Sequence, residues 1–132
     1  MTFAMDLTRP LGLWTAGIVL LCLTACGPDY SPDELNGNWT GIQFTEEGDS
    51  VLIDPTELKF HFDETGTYTY DGTLRYREEG AYRLERDLLV TKDALVDTAA
   101  EKAVRILTLN PDTLRLKMNA GGREQLLTLL RE

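Results

Sequence analysis

Apolar and polar residues alternate along this chain with a period of two, in one run after another. "ELKFHFD" (57–63) sets Leu58, Phe60 and Phe62 against Lys59, His61 and Asp63. "TYTYDGTLRYRE" (67–78) sets Tyr68 and Tyr70, then Leu74 and Tyr76, against Thr69, Arg75 and Arg77. "AYRLER" (81–86) and "TLRLKMN" (113–119) repeat the pattern. A period of two with aromatic and branched residues predicts half-buried strands. Turn signals separate the runs: "EEGD" (46–49), "DETG" (63–66), "REEG" (77–80), "NPD" (110–112) and "AGG" (120–122). Strands are expected near 38–45, 50–54, 57–63, 67–76, 80–86, 88–92, 102–109, 113–119 and 124–131, the second short enough to be a loop. Short connections imply sequential hairpins rather than crossovers. With no long helix to cover them, strands with one apolar face each close into an all-β antiparallel up-and-down barrel of about eight strands, which removes exposed edges. "DALVDTAAEKAV" (93–104) reads as a loop with at most a helical turn, a short surface helix being the alternative.

The N-terminal quarter reads differently. From Leu11 to Leu23 thirteen residues carry no charge. A membrane-spanning helix needs about 20 apolar residues, whereas a signal-peptide core needs roughly 7–15. The segment passes through Thr24 and Ala25 into Cys26, and "LTAC" resembles the lipobox of bacterial lipoproteins. That resemblance implies cleavage before Cys26, a diacylglyceryl group on its sulfur and an acylated new amino terminus. The competing readings are a disulfide or a C-x-x-x-C metal pair. Cys22 lies inside the apolar core and would leave with the signal peptide, and no third cysteine could complete a metal site. The expected division is a signal peptide at 1–25, a lipidated cysteine with a short tether at 26–33, and a barrel domain at 34–132. Gly27 stands where many inner-membrane lipoproteins carry Asp, so a lipid-anchored protein of the cell envelope is expected, on the outer membrane in a Gram-negative host.

Cleavage before Cys26 leaves residues 26–132, one domain's worth. The whole chain carries a net charge of −9, which argues against nucleic acid as a partner and against attraction to anionic headgroups. The membrane contact expected is the acyl anchor.

"SPDE" (31–34) fits a helix start, with Ser31 as cap, Pro32 in the first turn and Glu34 three residues after the cap. "LNGNWTG" follows. A short helical turn ahead of Gly37-x-Trp39 resembles the lipocalin signature. "FHFDETGTYTY" and "GAYRLERDLLVT" resemble the short lipocalin-like domains of bacterial lipoproteins, and the resemblance covers about residues 34–131. It implies a small barrel with Trp39 at its base and an arginine from the last strand across the indole. Arg131 is the first candidate and Arg123 the second; an ordinary core tryptophan is the alternative.

Tyr68, Tyr70, Tyr76 and Tyr82 share the apolar parity of neighbouring strands. Facing inward, they line a pocket with a polar floor, or they fill a small barrel completely, since eight strands enclose an interior just wide enough for side chains. His61, the only histidine, falls on the polar parity and reads as solvated. One histidine and two serines, Ser31 and Ser50, assemble no convincing nucleophile–base pair, so no catalytic residue is expected. Glu46, Glu47, Asp49 and Asp54 lack the spacing of a calcium loop, so neither metal nor cofactor is expected. Two functions follow. The barrel mouth takes a small apolar or amphipathic molecule, or a filled barrel meets an envelope protein through its outer face.

Overall fold

A computed structural model describes residues 28–132. The segment expected to be a signal peptide, and Cys26, lie outside the described residues. The chain opens with a one-turn helix, α1 (Pro32–Leu35), whose Glu34 carboxylate accepts the Ser31 N–H at 2.9 Å. Nine strands follow: β1 (Gly37–Glu46), β2 (Asp49–Ser50), β3 (Lys59–Phe62), β4 (Thr67–Asp71), β5 (Arg77–Glu85), β6 (Leu88–Asp93), β7 (Lys102–Leu109), β8 (Thr113–Ala120) and β9 (Arg123–Arg131). All pairings are antiparallel between chain neighbours, and β1 pairs with β9 to close the ring. The two-residue β2 is an appendage on β1, so the barrel proper has eight strands. It is an all-β antiparallel up-and-down barrel. Closure gives β1 and β9 partners that an open sheet would deny them.

Side-chain parity builds the core. Trp39, Phe62, Tyr68, Leu89, Ile106, Leu114, Leu116, Leu127 and Leu129 are each at most 2% exposed. Arg105 beside Ile106, Lys117 beside Leu116, and Arg83 between Tyr82 and Leu84 form ion pairs on the outside. Two irregularities shift the parity without emptying the core. A bulge between Gly41 and Gln43 turns Ile42 outward, and one between Ile106 and Thr108 turns Leu107 outward. Ile106 and Leu109, three apart, therefore both point in.

Alternating hairpins sort the connections to two ends. The turns at 63–66, 86–87 and 110–112 lie at the end where β1 begins, and α1 covers it. There the Trp39 Nε1–H donates to the Leu35 carbonyl at 2.9 Å, and the Arg131 guanidinium carbon stands 4.2 Å from the Trp39 ring centroid. Arg131 also donates to the carbonyls of Glu34 and Pro111, at 2.7 Å each, and of Asn36. It thus satisfies the orphan carbonyls at the end of α1. Gly37 holds φ +129° beneath it, and a Cβ there would meet an Arg131 nitrogen at 2.6 Å. Residues 47–58, 72–76, 94–101 and 121–122 join strands at the opposite end, where among the described residues no α-helix sits.

Three segments depart from the sequence reading. Residues 50–54 are not a barrel strand; after β2 the chain bends and makes a 3-10 turn at Pro55–Glu57, capped by Asp54. The strand expected at 67–76 stops at Asp71. Leu74 and Arg75 adopt φ of 56° and 63° and form the β4–β5 turn, leaving Leu74 95% exposed. "REEG" is therefore strand and not turn. Gly80 is required there by close approach, since a Cβ would stand 1.9 Å from the Lys92 carbonyl oxygen. Residues 94–101 are a loop without helix.

Candidate functional site

At the uncovered end the interior is not filled. A chamber of about 130 Å³ lies inside the barrel, walled by Phe60, Leu89, Val104, Leu116, Met118 and Leu127. Above it a vestibule of about 340 Å³ opens between Phe44, Ile53, Leu58, Tyr76 and Gln125. The two spaces share Tyr70, Glu78, Lys102, Met118 and Leu127 as lining, so they form one funnel. Ligand pockets run from about 300 Å³ upward, and the vestibule alone is of that order. An apolar cavity of about 150 Å³ is known to hold benzene, which sets the scale of the chamber.

A polar cluster stands where chamber meets vestibule. Glu78, on β5, is 5% exposed. Its Oε1 accepts the Tyr68 hydroxyl at 2.8 Å, and its Oε2 accepts the Tyr76 hydroxyl and the Lys102 ammonium at 2.5 Å each. Burial alone would push the Glu78 carboxyl up. The bonds from Lys102, Tyr76 and Tyr68 outweigh it and hold the group below its ordinary range. Burial likewise opposes the Lys102 charge, but its bond to Glu78 wins and raises its pKa. Burial and the bond to Glu78 raise Tyr68. The same bond, with some burial, raises Tyr76. Burial, with the Glu78 charge nearby, pushes Tyr70 up to about 12. All these shifts point one way: at neutral pH the carboxylate is ionised, the ammonium charged, and the phenols are neutral donors.

The four tyrosines are therefore divided. Tyr68 is 2% exposed, its hydroxyl bound in the cluster. Tyr70 lines both spaces, with its ring 4.6 Å from Phe60, centroid to centroid. Tyr76 sits at the foot of the β4–β5 turn, half exposed on the vestibule rim. Tyr82 lines neither space. It lies at the covered end, where its hydroxyl donates to the Asp63 carbonyl at 3.2 Å beside the Asn36 amide. Trp39 and Arg131 stand at that end too, as a plug and not as funnel wall.

Glu78 and Lys102 carry the site's charge, and the tyrosine reading missed them. Parity could have found them. Glu78 shares the inward parity of Tyr82 and Leu84, and Lys102 that of Val104 and Ile106. Reading "REEG" as a turn cut β5 short of Glu78.

The remaining candidates stay outside. His61 Nδ1 is 2.7 Å from Asn38 Oδ1 on the exposed wall. Glu46 pairs with Arg123 at 3.2 Å, and Asp54 accepts from Thr56. Among the described residues no three His, Cys, Asp or Glu side chains converge as metal ligands.

Comparison with solved structures settles the architecture. A lipocalin-like protein from Bacteroides uniformis superposes with a TM-score of 0.54 at 17% identity, over 71% of this chain and 96% of its own. The domain is lipocalin-like in fold. An uncharacterized protein from Bacteroides eggerthii matches at a TM-score of 0.52 and 13% identity, over 74% of this chain and 98% of its own. No family model matches this sequence, and no curated protein does. The lipocalin-like barrel here differs at its two ends: one is plugged by α1, Trp39 and Arg131, the other opens onto the funnel.

Proposed function

We propose that this chain is a lipid-anchored protein of the cell envelope whose lipocalin-like barrel holds a small apolar or amphipathic molecule. The observation that carries the binding role is the funnel, apolar at its floor and polar at its throat. A filled barrel would leave neither space. The anchor rests on "LTAC" and on the position of α1. Cys26 precedes Ser31 by five residues, a span of roughly 20 Å at most at about 3.3–3.6 Å per residue. The acyl chains would therefore hold the plugged end toward the lipid and leave the mouth facing away.

Native mass spectrometry of the protein purified from its own host tests the binding role. A retained small molecule supports it; a bare chain at every purification would sink it. Palmitate labelling tests the anchor. Wild type should carry label and partition into detergent, and Cys26→Ala should do neither. A labelled Cys26→Ala protein in the membrane fraction would refute the lipobox reading.

One observation favours the interaction role as a second reading. Leu52, Leu74, Leu95 and Val96 are all more than half exposed, and all lie on connections at the mouth. Apolar side chains gathered on one rim suit an envelope protein partner that meets the barrel from above. Cross-linking from these loops in intact cells would separate this reading from ligand binding alone.

A further inference from the structure

We infer that the funnel selects a carboxylate, with an apolar end about the size of a benzene ring seated in the chamber and its head at Lys102. The inference deepens the binding role proposed above and depends on it. It comes from the asymmetry of the Glu78–Lys102 pair. These two are the only charged residues among the described ones that line chamber or vestibule. They are not equally placed. The Glu78 side chain is 7% exposed and the Lys102 side chain 55%. The carboxylate lies deep and is committed to three donors of the protein itself. The ammonium has three N–H groups, and one of them goes to Glu78. A second lies within reach of the Tyr76 hydroxyl, which leaves one N–H of the half-exposed ammonium for the vestibule.

A molecule entering the mouth therefore meets a charged donor first. A carboxylate there gains a charge-assisted hydrogen bond, roughly twice as strong as a neutral one. An alcohol gains only the weaker bond. An amine meets a like charge and must displace Lys102 to reach Glu78.

Of the other acids near the mouth, Glu46 is paired with Arg123, Glu101 with Arg83, and Asp93 accepts the backbone N–H groups of Glu79 and Leu95. Glu47, Asp49, Asp54, Glu57 and Asp97 stand on the connections of that end but line neither space. The acidic exterior of the chain repels anions at long range, but at about 0.1 M salt that repulsion is screened beyond about 10 Å. The volume argument sets the other end of the molecule. A chamber of about 130 Å³ matches a single ring or a short alkyl group, not a long acyl chain.

Three soluble probes with one ring and different heads test the inference: phenylacetate, phenylethanol and phenylethylamine. Each is titrated into the full chain in detergent micelles and followed by ligand-detected NMR. Phenylacetate should bind about tenfold more tightly than phenylethanol, the equivalent of 1.4 kcal/mol, and phenylethylamine most weakly. Lys102→Met should abolish the advantage of phenylacetate and leave phenylethanol within about twofold. Lys102→Arg should keep the advantage, which guards against a fold defect in the methionine variant. Equal affinity for acid and alcohol, or a preference for the amine, overturns the head-group assignment while leaving the chamber a binding site. Should none of the three bind, the binding role falls with it.

Discussion

Replacing Glu78 by alanine removes the acceptor on which three donors converge. The naive expectation adds three bonds to a charged group, at about 1.5–3 kcal/mol each, and arrives at a loss large enough to unfold many domains. The geometry argues for much less. Lys102 and Tyr76 are about half exposed, so their polar groups return to water when the carboxylate goes. Only Tyr68, at 2% exposure, is left with a buried unpaired hydroxyl, and such an orphan costs about 1–3 kcal/mol. Thr91 stands close enough to bond the same phenol, which places the expected cost of Glu78→Ala in the lower half, about 1–2 kcal/mol. Tyr68→Phe alone should cost about 0.5–1.5 kcal/mol. The double variant has no orphan hydroxyl. It should therefore lose at least about 0.5 kcal/mol less than the sum of the singles, a coupling expected of groups in contact. Urea unfolding followed by circular dichroism, with an unchanged slope against denaturant, measures all three. A Glu78→Ala cost above about 4 kcal/mol would mean that the naive sum was right. A strictly additive cycle would mean that the Tyr68–Glu78 bond is not formed in solution.

Leu116 is fully buried on the chamber wall, and Arg115 points outward beside it. Leu116→Ala should cost about 2–5 kcal/mol and Arg115→Ala no more than about 0.5 kcal/mol in the same melts; the reverse order would invert the face assignment. Arg131→Ala removes a cation over Trp39 and three bonds to carbonyls at the plugged end, so a loss of about 2–4 kcal/mol is expected. Arg131→Lys should recover little of it, because an ammonium cannot fork to three carbonyls while stacking on the indole. Acid should weaken the barrel with a definite sign. Glu78, Asp63, Asp54 and Glu101 all ionise more readily folded than unfolded. Their stabilisation is present above the ordinary carboxyl values of 3.8 and 4.5 and is lost as pH falls through the lower folded values. Thermal melts should show a midpoint that is flat above about pH 5 and drops below it; a midpoint that rises on acidification would contradict these assignments.

Much of the wall of this barrel is local information. The parity of Phe60 and Phe62, of Leu114, Leu116 and Met118, or of Tyr82 and Leu84 is written in adjacent letters, because successive side chains on a strand leave opposite faces. The turns at 63–66, 110–112 and 120–122 follow from Asp, Pro and Gly in the same way. Bulges are less legible. Ile42 and Leu107 look like core residues by type, and only the pairing of β1 with β9 and of β7 with β8 turns them out. The β4–β5 turn was hidden because Leu74 and Arg75 are unusual residues to take positive φ. Asp71-Gly72 is a turn signal, but the alternation of Leu74 and Tyr76 beyond it reads as continued strand.

Local chemistry alone makes this chain a run of sequential antiparallel strands, each with an apolar and a polar side, behind a short capped helical turn. It can do so because strand parity, turn chemistry and capping act over a few residues. Which side chains meet was decided by the closed structure. Glu78 and Lys102 stand 24 positions apart and came together only because β5, β6 and β7 lie side by side around the ring. Arg131 reached Trp39 only because β9 returned to pair with β1. The asymmetry of the two ends has the same origin. A plug at one end and a funnel at the other depend on which connections fall together, and that follows from the register of a sheet closed on itself.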